Sequence, residues 1–154
     1  MRLPIPVRRL GYRLAYGGLR VYWYFRRPQL SGVKCVLTDR DEVLLVRHTY
    51  GPRVWDLPGG AIKRGEPPVG AARREMAEEL GVSIDDWRPL GAVAVTVDHR
   101  TDHVHAFQAE SPTRELTIDR GEIARAAWFP RNGLPSDLGR YAHRILARTP
   151  RPQP

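Results

Sequence analysis

The 23 residues from Gly60 to Val82, GAIKRGEPPVGAARREMAEELGV, constrain this chain more than any other stretch. Glu75, Glu78 and Glu79 stand at i, i+3 and i+4, the spacing that puts side chains on one face of a helix. Val69, Ala72, Met76 and Leu80 fall on a different face, suited to packing on a sheet. The spacing therefore predicts a helix from about Pro67 to Leu80, anchored by its apolar side and presenting three carboxylates on another. Like charges this close repel unless something positive sits between them, and a hard cation such as Mg²⁺ or Mn²⁺ takes oxygen ligands. The plainer alternative is a solvated face with an Arg74–Glu78 ion pair worth a few tenths of a kcal/mol. EMAEE alone leaves both open, and the flanks favour the cation. Asp56-Leu57-Pro58-Gly59-Gly60 reads as a tight turn that lets a ligand approach the backbone. Pro67 suits a first helical turn and Gly81 stops the helix after Leu80.

The segment resembles the Nudix box, G-x5-E-x7-R-E-U-x-E-E-x-G-U with U a bulky aliphatic residue. Gly60, Glu66, Arg74, Glu75, Met76, Glu78, Glu79, Gly81 and Val82 fill every specified position. Trp55 and Leu57-Pro58-Gly59-Gly60 also resemble the strand and turn that lead into the box in that family, and a looser likeness extends over residues 31 to 130. The resemblance implies hydrolysis of a nucleoside diphosphate linked to another moiety, with Mg²⁺ or Mn²⁺ as cofactor and cleavage at the pyrophosphate. It implies that Glu78 and Glu79 ligate the metal, with Glu75 joining them or acting as base and Arg74 orienting Glu75 through a charge-assisted hydrogen bond. It adds the backbone carbonyl of Gly59 as a further ligand, and gives Glu66 the task of holding the loop together.

A general base is harder to place. Family members often take an acid from a loop ahead of the late strand, where Glu122 stands; Asp98, Asp102 and Asp119 are its rivals. His99, His103 and His105 are read as pocket or surface residues, because hard cations do not need imidazole. Arg47, Tyr50, Arg53 and Trp55 are candidate substrate contacts by stacking and phosphate binding, Arg47 and Trp55 foremost. Strand packing explains them equally well. The proline that ADP-ribose-type members tend to carry beyond the box is replaced here by Val97, and the tyrosine of dinucleoside-polyphosphate members by His99 and Arg100. The expected substrate is therefore no narrower than a nucleotide or nucleotide-sugar diphosphate. An RNA 5′-end pyrophosphohydrolase and a non-catalytic nucleotide-binding regulator are the alternatives.

Composition separates an arm from a domain. Of the 25 Lys and Arg residues, eight lie in residues 1–38, which hold none of the 17 Asp and Glu; residues 39–154 carry 17 of each sign. The net charge of +8 is thus a property of the N-terminus, which weakens any case for nucleic-acid binding by the whole molecule. Leu3, Val7, Leu10, Leu14, Val21 and Phe25 approximate a helical stripe with Arg8, Arg9, Arg13 and Arg20 outside it. Gly17-Gly18 interrupts it, and the aromatic run from Val21 to Phe25 is β-prone. The arm is expected to be an extra helix that caps the domain or pairs in a homodimer. An anionic membrane surface or an RNA backbone contacting residues 1–28 is the alternative. Cys35 is the only cysteine, which excludes an intrachain disulfide; a packed thiol and a cytoplasmic setting are the default.

The expected fold is an α/β/α sandwich of Nudix type with a mixed sheet, plus the basic helical arm. The divisions are an arm at 1–30, a domain at 31–148 and a tail at 149–154. Strands are predicted over Val33 to Thr38, Glu42 to Arg47, Leu90 to Val97, His103 to Ala109 and Ala126 to Phe129, with a closing helix over Ser136 to Arg148.

Overall fold

The computed structural model describes residues 4–26, 29–97 and 100–150, and all of their side chains except those of 23–26, 29, 97 and 100. Among these the elements run α1 (Ile5–Arg26), β1 (Gln29–Asp39), β2 (Glu42–His48), α2 (Pro68–Leu80), β3 (Arg88–Val97), β4 (Arg100–Glu110), β5 (Ile123–Pro130) and α3 (Arg140–Arg148). The strands form one mixed sheet in the order β3-β4-β1-β2-β5, in which β1 and β4 are parallel and the other neighbours antiparallel.

Alternation along the strands divides the core into two layers. Val33, Cys35 and Leu37 of β1 and Leu44 and Val46 of β2 share one cluster with Ala71, Ala72, Met76 and Leu80 of α2. Their neighbours Val36, Val43 and Leu45 belong to the other, with Ala142, Ile145 and Leu146 of α3. This is the α/β/α sandwich that the sequence pattern calls for.

One irregularity positions the candidate site. β1 and β2 pair only at Thr38↔Val43 and Asp39↔Glu42. Beyond that they part, and the chain from Trp55 to Ile62 fills the split. Val46 and Asp56 exchange backbone hydrogen bonds of 2.8 and 2.9 Å; the N–H groups of Val33 and Cys35 donate to the carbonyls of Gly60 and Pro58 at 2.8 and 2.9 Å. Buried backbone groups in the split are thereby satisfied, and the Pro58–Gly60 turn is laid into the middle of the sheet.

The arm differs from expectation in two ways. Gly17-Gly18 does not break it, and α1 runs unbroken through Val21. A helical glycine costs only about 1 kcal/mol relative to alanine, and docking contacts offset this. Those contacts come from the polar side, because the facing surface is acidic. Arg8 donates to both oxygens of Asp119 at 2.8 and 2.7 Å, Tyr12 to Glu122 at 2.7 Å, and Arg9 to the carbonyl of Arg120 at 3.1 Å. Val7, Leu10, Leu14 and Val21 are left facing solvent. Leu3 and the side chain of Phe25 lie outside the described residues.

The last helix starts at Arg140 rather than Ser136. Leu138 bridges to Trp55 and the Gly139 N–H donates to the Trp55 carbonyl at 2.7 Å, so this backbone is extended until Arg140. Thr149, at the start of the expected tail, is buried and donates through Oγ1 to the Ile145 carbonyl at 2.9 Å; residues 151–154 lie outside the described residues.

Leu44 is fully buried between the sheet and α2. Leu44→Ala is expected to lower unfolding free energy by about 2–5 kcal/mol, as core truncations do, measured by urea titration. A loss near zero would mean that this layer is not close-packed.

Candidate active site

Helix α2 begins after Pro67 and ends at Gly81, whose left-handed φ of +68° lets Gly81 and Val82 donate back to the carbonyls of Ala77 and Met76. Its apolar residues dock on the sheet, and the same docking carries Glu75 and Glu79 inward until they are 8% and 2% exposed. What receives them is the glycine turn in the split. The Gly59 N–H donates to Glu79 Oε2 at 3.1 Å. A Cβ on Gly59 would sit 2.1 Å from the Val33 carbonyl oxygen, so no larger residue fits there, and one on Gly60 would sit 2.6 Å from the Glu75 carboxylate and displace it. His48 Nε2, at the end of β2, lies 3.5 Å from Glu79 Oε1.

Arg74 ties this cluster to the loop before the helix. Its Nε and Nη2 donate to the two oxygens of Glu66 at 2.8 and 3.0 Å, Nη2 also to the Ala61 carbonyl at 2.9 Å, and Nη1 to Glu75 at 2.7 Å and Glu78 at 3.2 Å. Glu66 in turn accepts from the Lys63 N–H at 2.9 Å. Arg74 and that backbone bond together hold the Glu66 carboxyl down at about 2. Glu75 shifts the other way: burial lifts its pKa above the ordinary value, Arg74 pulls against this, and the charge of Glu79 adds to the lift.

The donor set fits a hard divalent cation. Two carboxylates are buried with less positive charge than they need, and neighbouring groups register it. Burial first, then the charges of Glu79, Glu122 and Glu75, push the Tyr50 phenol well above its ordinary pKa. Burial and Glu79 do the same to the Cys35 thiol, which is packed in the core. The carbonyls of Pro58 and Gly60 accept from β1; among the described residues that of Gly59, between them, has no backbone donor. Glu78 stands apart, its side chain 58% exposed and turned onto Arg74. Among the described residues no three His, Cys, Asp or Glu side chains converge on one point, so this arrangement is not a closed cage.

Above the turn opens a cleft of about 660 Å³. Gly59, Gly60 and His48 line it, with Tyr16, Tyr50, Lys34 and Tyr141 among the other walls. Glu75 and Glu79 lie directly behind the glycine floor. Tyr50 packs near Tyr12, Tyr16 and His48, with ring centroids 5.8, 5.9 and 5.4 Å away. Glu122 is beside this cluster, accepting from Tyr12. Asp119 is taken by Arg8, and Asp102 is buried on the cleft wall, hydrogen-bonded by Tyr141. His103 and His105 alternate with Asp102 and Val104 along β4 and so project from the other face of the sheet. Asp98 and His99 lie outside the described residues.

Arg47 and Trp55 are brought together, but not into the cleft lining. Arg47 is ion-paired to Asp137 and stacks on Trp55 with its guanidinium carbon 4.8 Å from the ring centroid; Trp55 is buried against Phe129. The cleft positions are held instead by Tyr50 and three residues that sequence reasoning passed over, His48, Lys34 and Tyr16. Lys34 was hidden in an apolar strand. Tyr16 was hidden because nothing in the arm indicates which side of it docks.

The sequence model of the NUDIX domain matches residues 28–149. The chain belongs to the Nudix family. Among its relatives are the ADP-ribose pyrophosphatase of Mycobacterium tuberculosis, 49% identical over 80 residues (51% of this chain), and the NAD-capped RNA hydrolase NudC of Pseudomonas aeruginosa, 33% identical over 110 residues (70% of this chain). The chain spans only 35% and 39% of the length of these two curated proteins. A crystal structure of a MutT NUDIX hydrolase from Burkholderia pseudomallei superposes with a TM-score of 0.74 over 79% of this chain and 98% of its own, at 22% identity. The NUDIX domain of Shewanella oneidensis NrtR, in a cocrystal with ADP ribose, gives 0.65 over 78% and 85%, also at 22%. The Nudix fold here is thus extended at its N-terminus by α1, all of which precedes the matched region.

Glu66 provides a pH test of the Arg74 network. Its folded pKa of about 2 lies below the ordinary 4.5, so the unfolded chain binds more protons between these values. The contribution is complete above the unfolded value and is lost as pH falls towards the folded one. Glu66→Gln is expected to flatten the decline in unfolding free energy between about pH 5 and pH 2, read from urea titrations. Equal slopes in the two proteins would show that Arg74 does not stabilise that carboxylate.

Proposed function

We propose that this chain is a divalent-metal-dependent pyrophosphohydrolase acting on ADP-ribose or a closely similar nucleoside diphosphate derivative. The observation that carries this is the pair of buried carboxylates, Glu75 and Glu79, set against a glycine turn whose central carbonyl is left open behind a nucleotide-sized cleft. Strong local identity to an ADP-ribose pyrophosphatase supports the substrate class, although Val97 stands where ADP-ribose-type members tend to have proline.

In this reading Glu75, Glu78, Glu79 and the Gly59 carbonyl would hold Mg²⁺ or Mn²⁺. When bound, such an ion would neutralise diphosphate oxygens and lower the pKa of water at the site. Arg74 fixes Glu75 in place and favours its ionised form against burial. Tyr50 and Tyr16 offer flat faces to a nucleobase. Glu122 is the proton acceptor, held for that task by the Tyr12 hydroxyl.

A second reading, hydrolysis at an RNA 5′ end, has one observation in its favour beyond the relationship to NudC. A recess of about 340 Å³ is lined by Arg13, Arg20 and Arg53 and shares Tyr16, Tyr50, Gly51 and Pro52 with the cleft. Guanidinium groups there suit phosphates beyond the scissile pair.

The deciding experiment is steady-state turnover of ADP-ribose, NAD and NAD-capped RNA with Mg²⁺ and with Mn²⁺. ADP-ribose should give the highest kcat/KM, and absence of hydrolysis with all three would end the enzymatic reading in favour of a nucleotide-binding regulator. Glu79→Gln is expected to lower kcat by about two orders of magnitude or more, with an unchanged thermal melt since the substitution is isosteric. A variant with near-normal kcat would remove Glu79 from the ligand set.

A further inference from the structure

Helix α1 is held with its apolar side facing away from the protein. Val7, Leu10, Leu14 and Val21 follow i, i+3, i+7 and i+14, which places them on one face, and they are 50%, 57%, 68% and 60% exposed. Ile5, Leu19 and Tyr22 add to the exposed apolar surface, so α1 supplies seven of the eight exposed large hydrophobic residues among those described. The helix cannot roll over to hide them. Arg8 on Asp119, Arg9 on the Arg120 carbonyl and Tyr12 on Glu122 fix the opposite side to the domain, and the Tyr16–Tyr50 contact extends that attachment by a turn. An apolar patch of this kind on a soluble protein marks a contact surface.

The charge around the stripe identifies what it contacts. Arg13 and Arg20 border it along one side of the helix, and α1 contains no acidic residue. We propose that α1 lies flat on an anionic phospholipid surface, with Val7, Leu10, Leu14 and Val21 among the acyl chains and Arg13 and Arg20 at the headgroup phosphates, so that the enzyme works at a membrane. The helix is not apolar enough to cross one, and a strong apolar face bordered by arginines is the pattern of a helix that rests in the interface. A second copy is a poorer occupant. Two such helices packed face to face bring arginine borders together with no carboxylate on either to relieve them. RNA is poorer still, because the exposed leucines and valines give it nothing to bind. The arrangement also couples location to chemistry, since the element seated on lipid is the one that holds Glu122 through Tyr12.

The test is co-sedimentation of the full chain with phosphatidylcholine vesicles, with and without phosphatidylglycerol. The protein should partition onto the anionic vesicles and leave them as salt is raised. Leu10→Asn/Leu14→Asn changes only exposed positions, so its thermal melt should match the wild type while partitioning falls by about tenfold or more. Wild-type protein that stays in the supernatant with anionic vesicles would overturn the proposal. So would a variant that sediments as the wild type does, or a dimer in analytical ultracentrifugation that the variant abolishes without any vesicle binding.

Discussion

The guanidinium of Arg74 is the joint on which the site depends. It reaches back to Glu66 and the Ala61 carbonyl in the loop, and sideways to Glu75 and Glu78 on its own helix. A planar fork with five donors can satisfy such a set at once, whereas a lysine ammonium cannot span it. The box loop and the carboxylate helix are thereby one rigid unit, and Arg74 opposes the rise that burial imposes on the Glu75 pKa. The same guanidinium holds the exposed Glu78 through Nη1.

The second constraint is the split between β1 and β2. An uninterrupted antiparallel ladder would leave no room for a glycine turn in mid-sheet. Pairing that stops at Thr38↔Val43 opens a gap, and the backbone from Trp55 to Ile62 enters it without stranding polar groups. Glu79 then finds a backbone donor in Gly59, and the cleft forms above the same turn. Fold and chemistry meet at these two glycines, since a side chain on either would collide with β1 or with Glu75.

Around this shared centre the molecule adds something of its own. The N-terminal helix contributes Tyr16 to the cleft wall, pairs Tyr12 with Glu122, and supplies two of the arginines in the neighbouring recess. Part of the cleft wall therefore comes from outside the matched family domain, together with an apolar face directed at the surroundings.

Much of the site and most of the sheet could be read directly from the residues. Glu75, Glu78 and Glu79 on one helical face, the proline and glycine that bound that helix, and the alternating strands are local patterns, fixed by the period of the backbone and the few conformations open to glycine and proline. The inequality among the three glutamates was not legible. That Glu79 is fully enclosed, Glu75 nearly so and Glu78 exposed depends on how the helix is rolled against the sheet. Arg47 and Trp55 carry the right chemistry for a ligand, but Arg47 pairs with Asp137 and stacks on a buried Trp55 that bridges to Leu138. The orientation of α1 was likewise beyond the sequence, which shows an amphipathic helix but not the acidic surface at Asp119 and Glu122, more than a hundred residues away, that turns its polar side inward. Periodicity determines which residues share a face; only packing between distant segments decides which face meets the protein.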